Sequence, residues 1–200
     1  MKKLLLLLFI SLGLIGSANA NSIKGAFGYE LGQVLSDVTV NDLGDYGYSA
    51  IKTFKPNKPF FNFNKYFLST TLKKKKVHLI NASFKEQSTL DDKCGRRDGD
   101  YSKVLRVLEE KYGEFNELKN YIFQSRGDSR HSWRKHAIIK NPLRTITLRC
   151  DWYYDFKQPT TFNFTMNLTY EDIELTMERN NDESHLLHEK LEDNLEGVEY

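Results

Sequence analysis

The chain lacks most of the marks that announce a chemistry. It has two cysteines, Cys94 and Cys150, four prolines and three methionines in 200 residues. The cysteines have neither a Cys-x-x-Cys spacing nor a nearby histidine, which speaks against a zinc or dithiol redox site. There is no P-loop, no Ser-centred nucleophile elbow and no metalloprotease helix, so the sequence offers no catalytic residue. Gly25, Gly28 and Gly32 have neither a preceding strand nor a following P-loop lysine, and their spacing fits neither common phosphate-binding fingerprint. Long apolar runs are also missing, with one exception at the start.

That exception is Leu4 to Ile15, preceded by Lys2-Lys3 and followed by Gly16-Ser17-Ala18-Asn19-Ala20. A short cationic end, a helical apolar segment and small residues at Ala18 and Ala20 make a secretory signal peptide, with cleavage expected after Ala20. The run is twelve residues, whereas a membrane-spanning helix needs roughly 20. The expected mature chain is residues 21–200, with no transmembrane segment, in the periplasm or secreted. No cysteine sits at the cleavage site to carry a lipid anchor. Tyr200 matches the aromatic ending of outer-membrane barrels, but the stretch before it is acidic and does not alternate.

In an oxidising compartment, two cysteines default to one disulfide. A Cys94–Cys150 bridge closes a loop of about 57 residues, worth on the order of 4 kcal/mol in loop entropy.

Charge is balanced in number and segregated in place. Without Lys2 and Lys3 the chain carries 27 basic residues against 27 acidic ones. Nine lysines and no acid lie between Tyr46 and Lys85. Five arginines and two lysines lie between Ser125 and Arg149, against Asp128 alone. Eleven acids lie between Glu171 and Tyr200, against Arg179 and Lys190. Such asymmetry bears on partners more than on fold.

Periodicity predicts mostly strands. After a strand expected at Gly47 to Phe54, Tyr66, Leu68, Thr70 and Leu72 line one face of a strand. His78, Ile80, Ala82 and Phe84 line its return, with Lys73-Lys74-Lys75-Lys76 at the hairpin tip. Tyr101, Val104, Leu105, Leu108 and Tyr112 recur at helical spacing, with Asp100 as the expected N-cap and Gly113 as the C-cap. Tyr121–Phe123 and Trp133–Ile139 read as strands about a turn at Ser125–Ser129. Ile146, Leu148, Cys150, Trp152 and Tyr154 alternate with polar neighbours, as do Phe162, Phe164, Met166, Leu168 and Tyr170. Ile173, Leu175 and Met177 fit strand or helix. Asn180-Asn181-Asp182 reads as a break, and Leu187, Leu191 and Leu195 form a narrow stripe on an acidic helix. The expectation is an α+β fold: a mostly antiparallel sheet, one central amphipathic helix and an acidic C-terminal helix or tail. In domain terms it reads as a signal peptide over 1–20, one domain over 21–180 and a helical or disordered tail over 181–200.

Gly25-x-Phe27-Gly28-x-x-Leu31-Gly32, the hairpin with Tyr66, the single cysteine before the helix and Lys111-Tyr112-Gly113 at its end resemble a group of small exported bacterial proteins of unassigned function. The resemblance covers residues 23–170. Its motifs are turns and caps, so it implies a fold and transfers no catalytic residue.

Lys73, Lys74, Lys75 and Lys76 are the candidate binding residues. Four adjacent lysines repel one another, so the turn needs solvent or an anionic partner: anionic lipid, lipopolysaccharide phosphates or an acidic protein. Lys52, Lys55, Lys58, Lys65 and Lys85 extend the basic character. Each lysine near an anionic membrane contributes about 1 kcal/mol, screened over roughly 8 Å. The plain alternative is a solvated tip that discourages edge pairing; another is that the acidic C-terminal segment folds over the lysines. Aromatics interleaved with these lysines imitate a nucleic-acid platform, but the core needs them and nucleic acid is not a usual periplasmic ligand. Arg126-Gly127-Asp128-Ser129 spells an integrin tripeptide that a turn needs for its own reasons. His185 and His188 on the acidic helix are too few for a zinc site. His131 and His136, five apart on a strand, fall on opposite faces. Asn81, Asn163 and Asn167 open glycosylation sequons that a bacterial protein leaves unused. The reading is a non-catalytic binding or envelope-accessory domain without metal or cofactor. The alternatives are a small secreted hydrolase and an inhibitor of a secreted enzyme.

Overall fold

A computed structural model of the chain describes residues 22–88, 94, 99–123, 130–155 and 158–196. The expected signal peptide and the Arg126–Ser129 segment lie outside the described residues. The fold is α+β, built on a seven-stranded sheet in which every neighbouring pair is antiparallel. Its strands are β5 (Ile51–Phe54), β6 (Lys65–Thr70), β7 (Val77–Ser88), β8 (Asn116–Phe123), β9 (Arg130–Lys140), β10 (Arg144–Asp155) and β11 (Gln158–Asp172), in the spatial order β5-β6-β7-β11-β10-β9-β8. Two small hairpins precede it, β1 (Gly25–Ala26) with β2 (Tyr29–Glu30) and β3 (Asn41–Asp42) with β4 (Tyr48–Ser49). Helix α1 (Asp100–Tyr112) links β7 to β8, and helix α2 (Ile173–Glu196) follows β11 directly.

Alternation in the strands selects the buried face. Leu68, Ile80, Tyr170 and Ile146 stand side by side in one row of the register, and Tyr66, Ala82, Leu168 and Leu148 in the next. All eight are buried, and α1 lays Tyr101, Val104, Leu105, Leu108 and Tyr112 on this face. Gly113 closes α1 with φ +94°, its N–H donating to the Glu109 carbonyl at 2.9 Å. Gly99 occupies the N-cap position rather than Asp100, which sits in the first turn and accepts from Asn62 Nδ2 at 3.2 Å. Cys94 and Cys150 are paired at disulfide distance, their Cα atoms 5.8 Å apart, and both are fully buried. The bridge ties the chain ahead of α1 to the middle of β10.

The turn joining β1 to β2 needs positive φ at both central residues, as type I′ turns do. Gly28 supplies one at +93°; the other falls on Phe27 at +58°. A phenylalanine there costs about 1–2 kcal/mol, offset by its ring, which packs 5.1 Å from Tyr66 and 6.1 Å from Tyr170.

Two local expectations change. Asn180-Asn181-Asp182 does not break the chain; α2 runs through it. The helix is fixed from outside. Asp172 caps it by accepting from Leu175 N–H at 3.1 Å, and Asp182 accepts a backbone N–H from Lys73 at 3.0 Å. Tertiary contacts of this kind override weak helix propensity. His78 does not share the face of Ile80. Ser69 pairs Leu79 while Thr70 pairs Val77, so His78 is the extra residue of a bulge. A bulge re-aims its side chain, and the ring turns to α2 and Ser69. No helix among the described residues is long and apolar enough to cross a membrane.

Candidate functional site

The four lysines form a tight, hydrogen-bonded turn. Thr71 N–H donates to the Lys76 carbonyl at 2.8 Å, Lys76 N–H donates to Thr71 Oγ1 at 3.1 Å, and Lys75 adopts φ +54°. The turn is held on two sides. On one, Leu35 N–H donates to the Lys75 carbonyl at 3.0 Å and Val34 bridges Lys76. On the other lies α2, where Lys74 Nζ stands 3.1 Å from Glu178 Oε1 and Asp182 takes the Lys73 N–H. The Lys74–Glu178 contact has the distance of an ion pair without hydrogen-bond alignment. Lys73 and Lys74 remain exposed. The ammonium groups of Lys73, Lys75 and Lys76 meet no acidic partner among the described residues.

The other lysines of the 46–85 stretch do not join the tip in one surface. Lys52 donates to Asp37 Oδ2 at 2.5 Å, which holds the Asp37 carboxyl below the usual range. Lys58 lines a cleft of about 330 Å³ with Phe27, Phe60, Val107, Lys111 and Tyr170. Lys65 and Lys85 stand on the sheet, in register with Ser83 and Thr165. The aromatics that imitate a stacking platform are used in packing: Phe63 and Tyr66 are buried, and Tyr66 Oη donates to the Phe63 carbonyl and accepts from Phe60 N–H.

Helix α2 runs from the end of β11 past the tip to the β3–β4 hairpin. Arg179 ion-pairs with Glu183 at 2.7 Å; Arg179 donates to the Tyr48 carbonyl, and Glu183 accepts from the Tyr48 N–H at 2.9 Å. Farther on, Lys190 pairs with Asp42 at 3.0 Å. In the first turns, His78 Nδ1 reaches Thr176. Burial, and next the Arg179 charge, push the His78 imidazole down to about 4, against the pull of Asp172. A neutral ring matches its contacts: Nδ1–H donates to Thr176 Oγ1, whose hydrogen goes to Glu171 or the Asp172 carbonyl, and Nε2 accepts from Ser69.

His185 and His188 are exposed on α2, His188 facing Glu192 at 3.2 Å. Among the described residues, no three His, Cys, Asp or Glu side chains gather as a metal site. His131 lies in β9, its side chain outside the described residues; His136 is placed.

Sequence reasoning missed the sheet face opposite α1. Lys135 extends over the Tyr101 ring of α1 at 4.7 Å, so its strand neighbours Arg134 and His136 point the other way. There Arg134 Nε donates to Asp151 Oδ1 at 2.7 Å and Arg149 Nε to Asp151 Oδ2 at 2.6 Å. His136, the register partner of Arg149, is held below its ordinary pKa by burial and then by the two guanidinium charges. The only signal in the sequence was the polar half of β10, Thr147, Arg149 and Asp151; what brings Arg134 beside it is the pairing register.

No family model, no curated protein and no solved structure matches the chain.

Proposed function

We propose that this protein is an exported, non-catalytic binding module that meets an anionic envelope surface through the Lys73–Lys76 turn. The observation that carries this is the turn itself: four consecutive lysines held in one rigid bend, three of them without an acidic partner among the described residues. Local charge density of this kind has a cost in isolation and is relieved by an anion. The turn is braced by Leu35 and by α2, so little ordering is left to be done on binding. Export is supported by the composition of residues 1–20 and by the Cys94–Cys150 pair, which suits an oxidising compartment.

The test is salt-dependent binding of residues 21–200 to anionic and neutral vesicles, beside a variant with Lys73, Lys74, Lys75 and Lys76 changed to serine. Binding to the anionic vesicles alone, weakened by salt and lost in the variant at an unchanged melting temperature, is the expected result. Equal binding by the variant would remove the turn as the site. Absence of vesicle binding, with salt-sensitive capture by an acidic protein, would move the partner from lipid to protein.

A further inference from the structure

The open face of the sheet carries a second group of polar residues, toward the far end of β7 from the lysine turn. A depression of about 350 Å³ lies over β7 and β11, lined by Lys85, Gln87, Asn163 and Thr165, with Glu86 and Phe164 completing it. Gln87 Nε2 donates to Asn163 Oδ1 at 2.9 Å, so the two amides are already oriented toward one another. Thr165 is the register partner of both Lys85 and Asp151, which places the Arg134–Asp151–Arg149 cluster one strand beyond the depression. With strands about 4.8 Å apart, β7 and β10 are separated by roughly 10 Å, within joint reach of a lysine and an arginine.

Three features of this arrangement point to a ligand. One carboxylate, Asp151, accepts from two guanidinium groups, and the side chain of Arg149 remains 43% exposed and that of Arg134 35%. Both arginines use Nε for Asp151, which leaves the forked end of Arg149 available in the geometry that suits carboxylate and phosphate oxygens. On the same face, His136 Nδ1 is buried and has no hydrogen-bond partner among the described residues. Unpaired buried groups of this kind are uncommon and call for a partner. The remaining surface, Ser83, Asn167, Thr147 and Thr169, offers hydroxyls and amides at sheet spacing.

We infer that this face binds an acidic or phosphorylated saccharide. The oxyanion lies between Arg149 and Lys85, over β11; His136, the register neighbour of Arg149 on β9, reports on that arginine, and the sugar hydroxyls meet Gln87, Asn163 and Thr165. The amide and hydroxyl lining matches hydroxyl groups, which donate and accept as it does. The site is independent of the lysine turn and stands whether or not that turn binds a membrane.

The experiment follows the His136 ring CH resonances by NMR, identified by their loss in His136→Gln. The 21–200 protein is titrated with glucose 6-phosphate, glucuronate, inorganic phosphate and glucose. The expected result is a saturable shift with one or both acidic sugars, none with glucose, and binding of inorganic phosphate about tenfold weaker. Arg149→Gln should weaken the acidic sugar about tenfold, with Arg149→Lys between, while the serine variant of Lys73–Lys76 keeps full binding. Should Arg149→Gln fail to fold, Lys85→Gln, an exposed position, serves in its place. No saturable shift with either acidic sugar, or an unchanged affinity in the folded variant, would overturn the site. Inorganic phosphate binding as tightly as the sugar phosphate would overturn the saccharide and reduce the site to one for a bare oxyanion.

Discussion

His78 Nδ1 lies 3.0 Å from Thr176 Oγ1, and this contact joins the bulged start of β7 to the first turns of α2. The same ring meets Ser69 at 3.0 Å through Nε2, and Arg179, Asp172 and the Thr176-bound Glu171 complete the charged groups around it. An ion pair through Glu178 and a backbone bond to Asp182 continue the attachment at the lysine turn farther along the helix.

Acid should loosen that attachment. With the folded His78 titrating at about 4 and an unfolded histidine near 6.5, the unfolded chain binds more protons between those values. Stability therefore falls as pH drops through this window and loses nothing to His78 above it. The full effect is on the order of 3 kcal/mol. Denaturant unfolding at pH 7 and pH 4.5 should show a smaller acid loss in His78→Gln than in the parent; an equal loss would place the acid sensitivity in other groups, His136 and the carboxylates.

Helix α2 should compete with an anionic surface for the lysines. Glu178→Gln and Asp182→Asn each remove one negative charge from beside the turn. At about 1 kcal/mol per charge near a membrane surface, each should raise vesicle affinity about fivefold at low salt, and 0.5 M salt should erase the difference. Flotation of the two variants against the parent measures it.

Much of the buried face is legible in the sequence. The strands bearing Ile146 to Trp152 and Phe164 to Tyr170 fall where strict alternation puts them, because a face packed on a helix cannot tolerate a slip of one residue. The helix under Tyr101 and Tyr112 follows from its spacing in the same way. His78 was misplaced because a bulge leaves no trace in a period-two pattern. Asn180 to Asp182 was misread because the partners that hold α2 there, Lys73 and Tyr48, lie more than a hundred residues away. The group of Arg134, His136, Arg149 and Asp151 was invisible for a related reason: separate strands contribute it, and only their register brings the side chains together.

The disulfide should be worth roughly 2–4 kcal/mol. Replacing both Cys94 and Cys150 by serine also puts two hydroxyls into a fully buried site, so the pair Cys94→Ala and Cys150→Ala is the cleaner variant. Its denaturation midpoint should fall, and reducing agent should shift the parent but not the variant. A midpoint equal to that of the parent would mean the two chain segments are held by packing alone.

Glycine substitutions should separate two kinds of constraint. A Cβ on Gly25 would overlap the backbone carbonyl oxygen of Tyr29, which cannot swing away without opening the β1–β2 hairpin. Gly25→Ala should cost about 2 kcal/mol or more. At Gly113 a Cβ meets nothing within 4 Å, and only its φ of +94° resists; Gly113→Ala should cost about 1 kcal/mol. Thermal unfolding of the two variants gives the comparison, and equal shifts would show that backbone conformation, not contact, sets both.

The strand order has a kinetic meaning. β5, β6 and β7 wind up as one local meander, and β8 to β11 as another; β7 against β11 is the single seam between them, joining Ile80 to Tyr170. Local hairpins close quickly, whereas a contact across so long a stretch of chain waits on loop closure. Until β11 docks, β7 presents an unpaired edge in the middle of the future sheet, the kind of edge that recruits a strand from another molecule. A chain interrupted within β11 is therefore left as two open half-sheets prone to self-association, not as a smaller folded protein, and the last strand to be synthesised decides whether the first ones are safe.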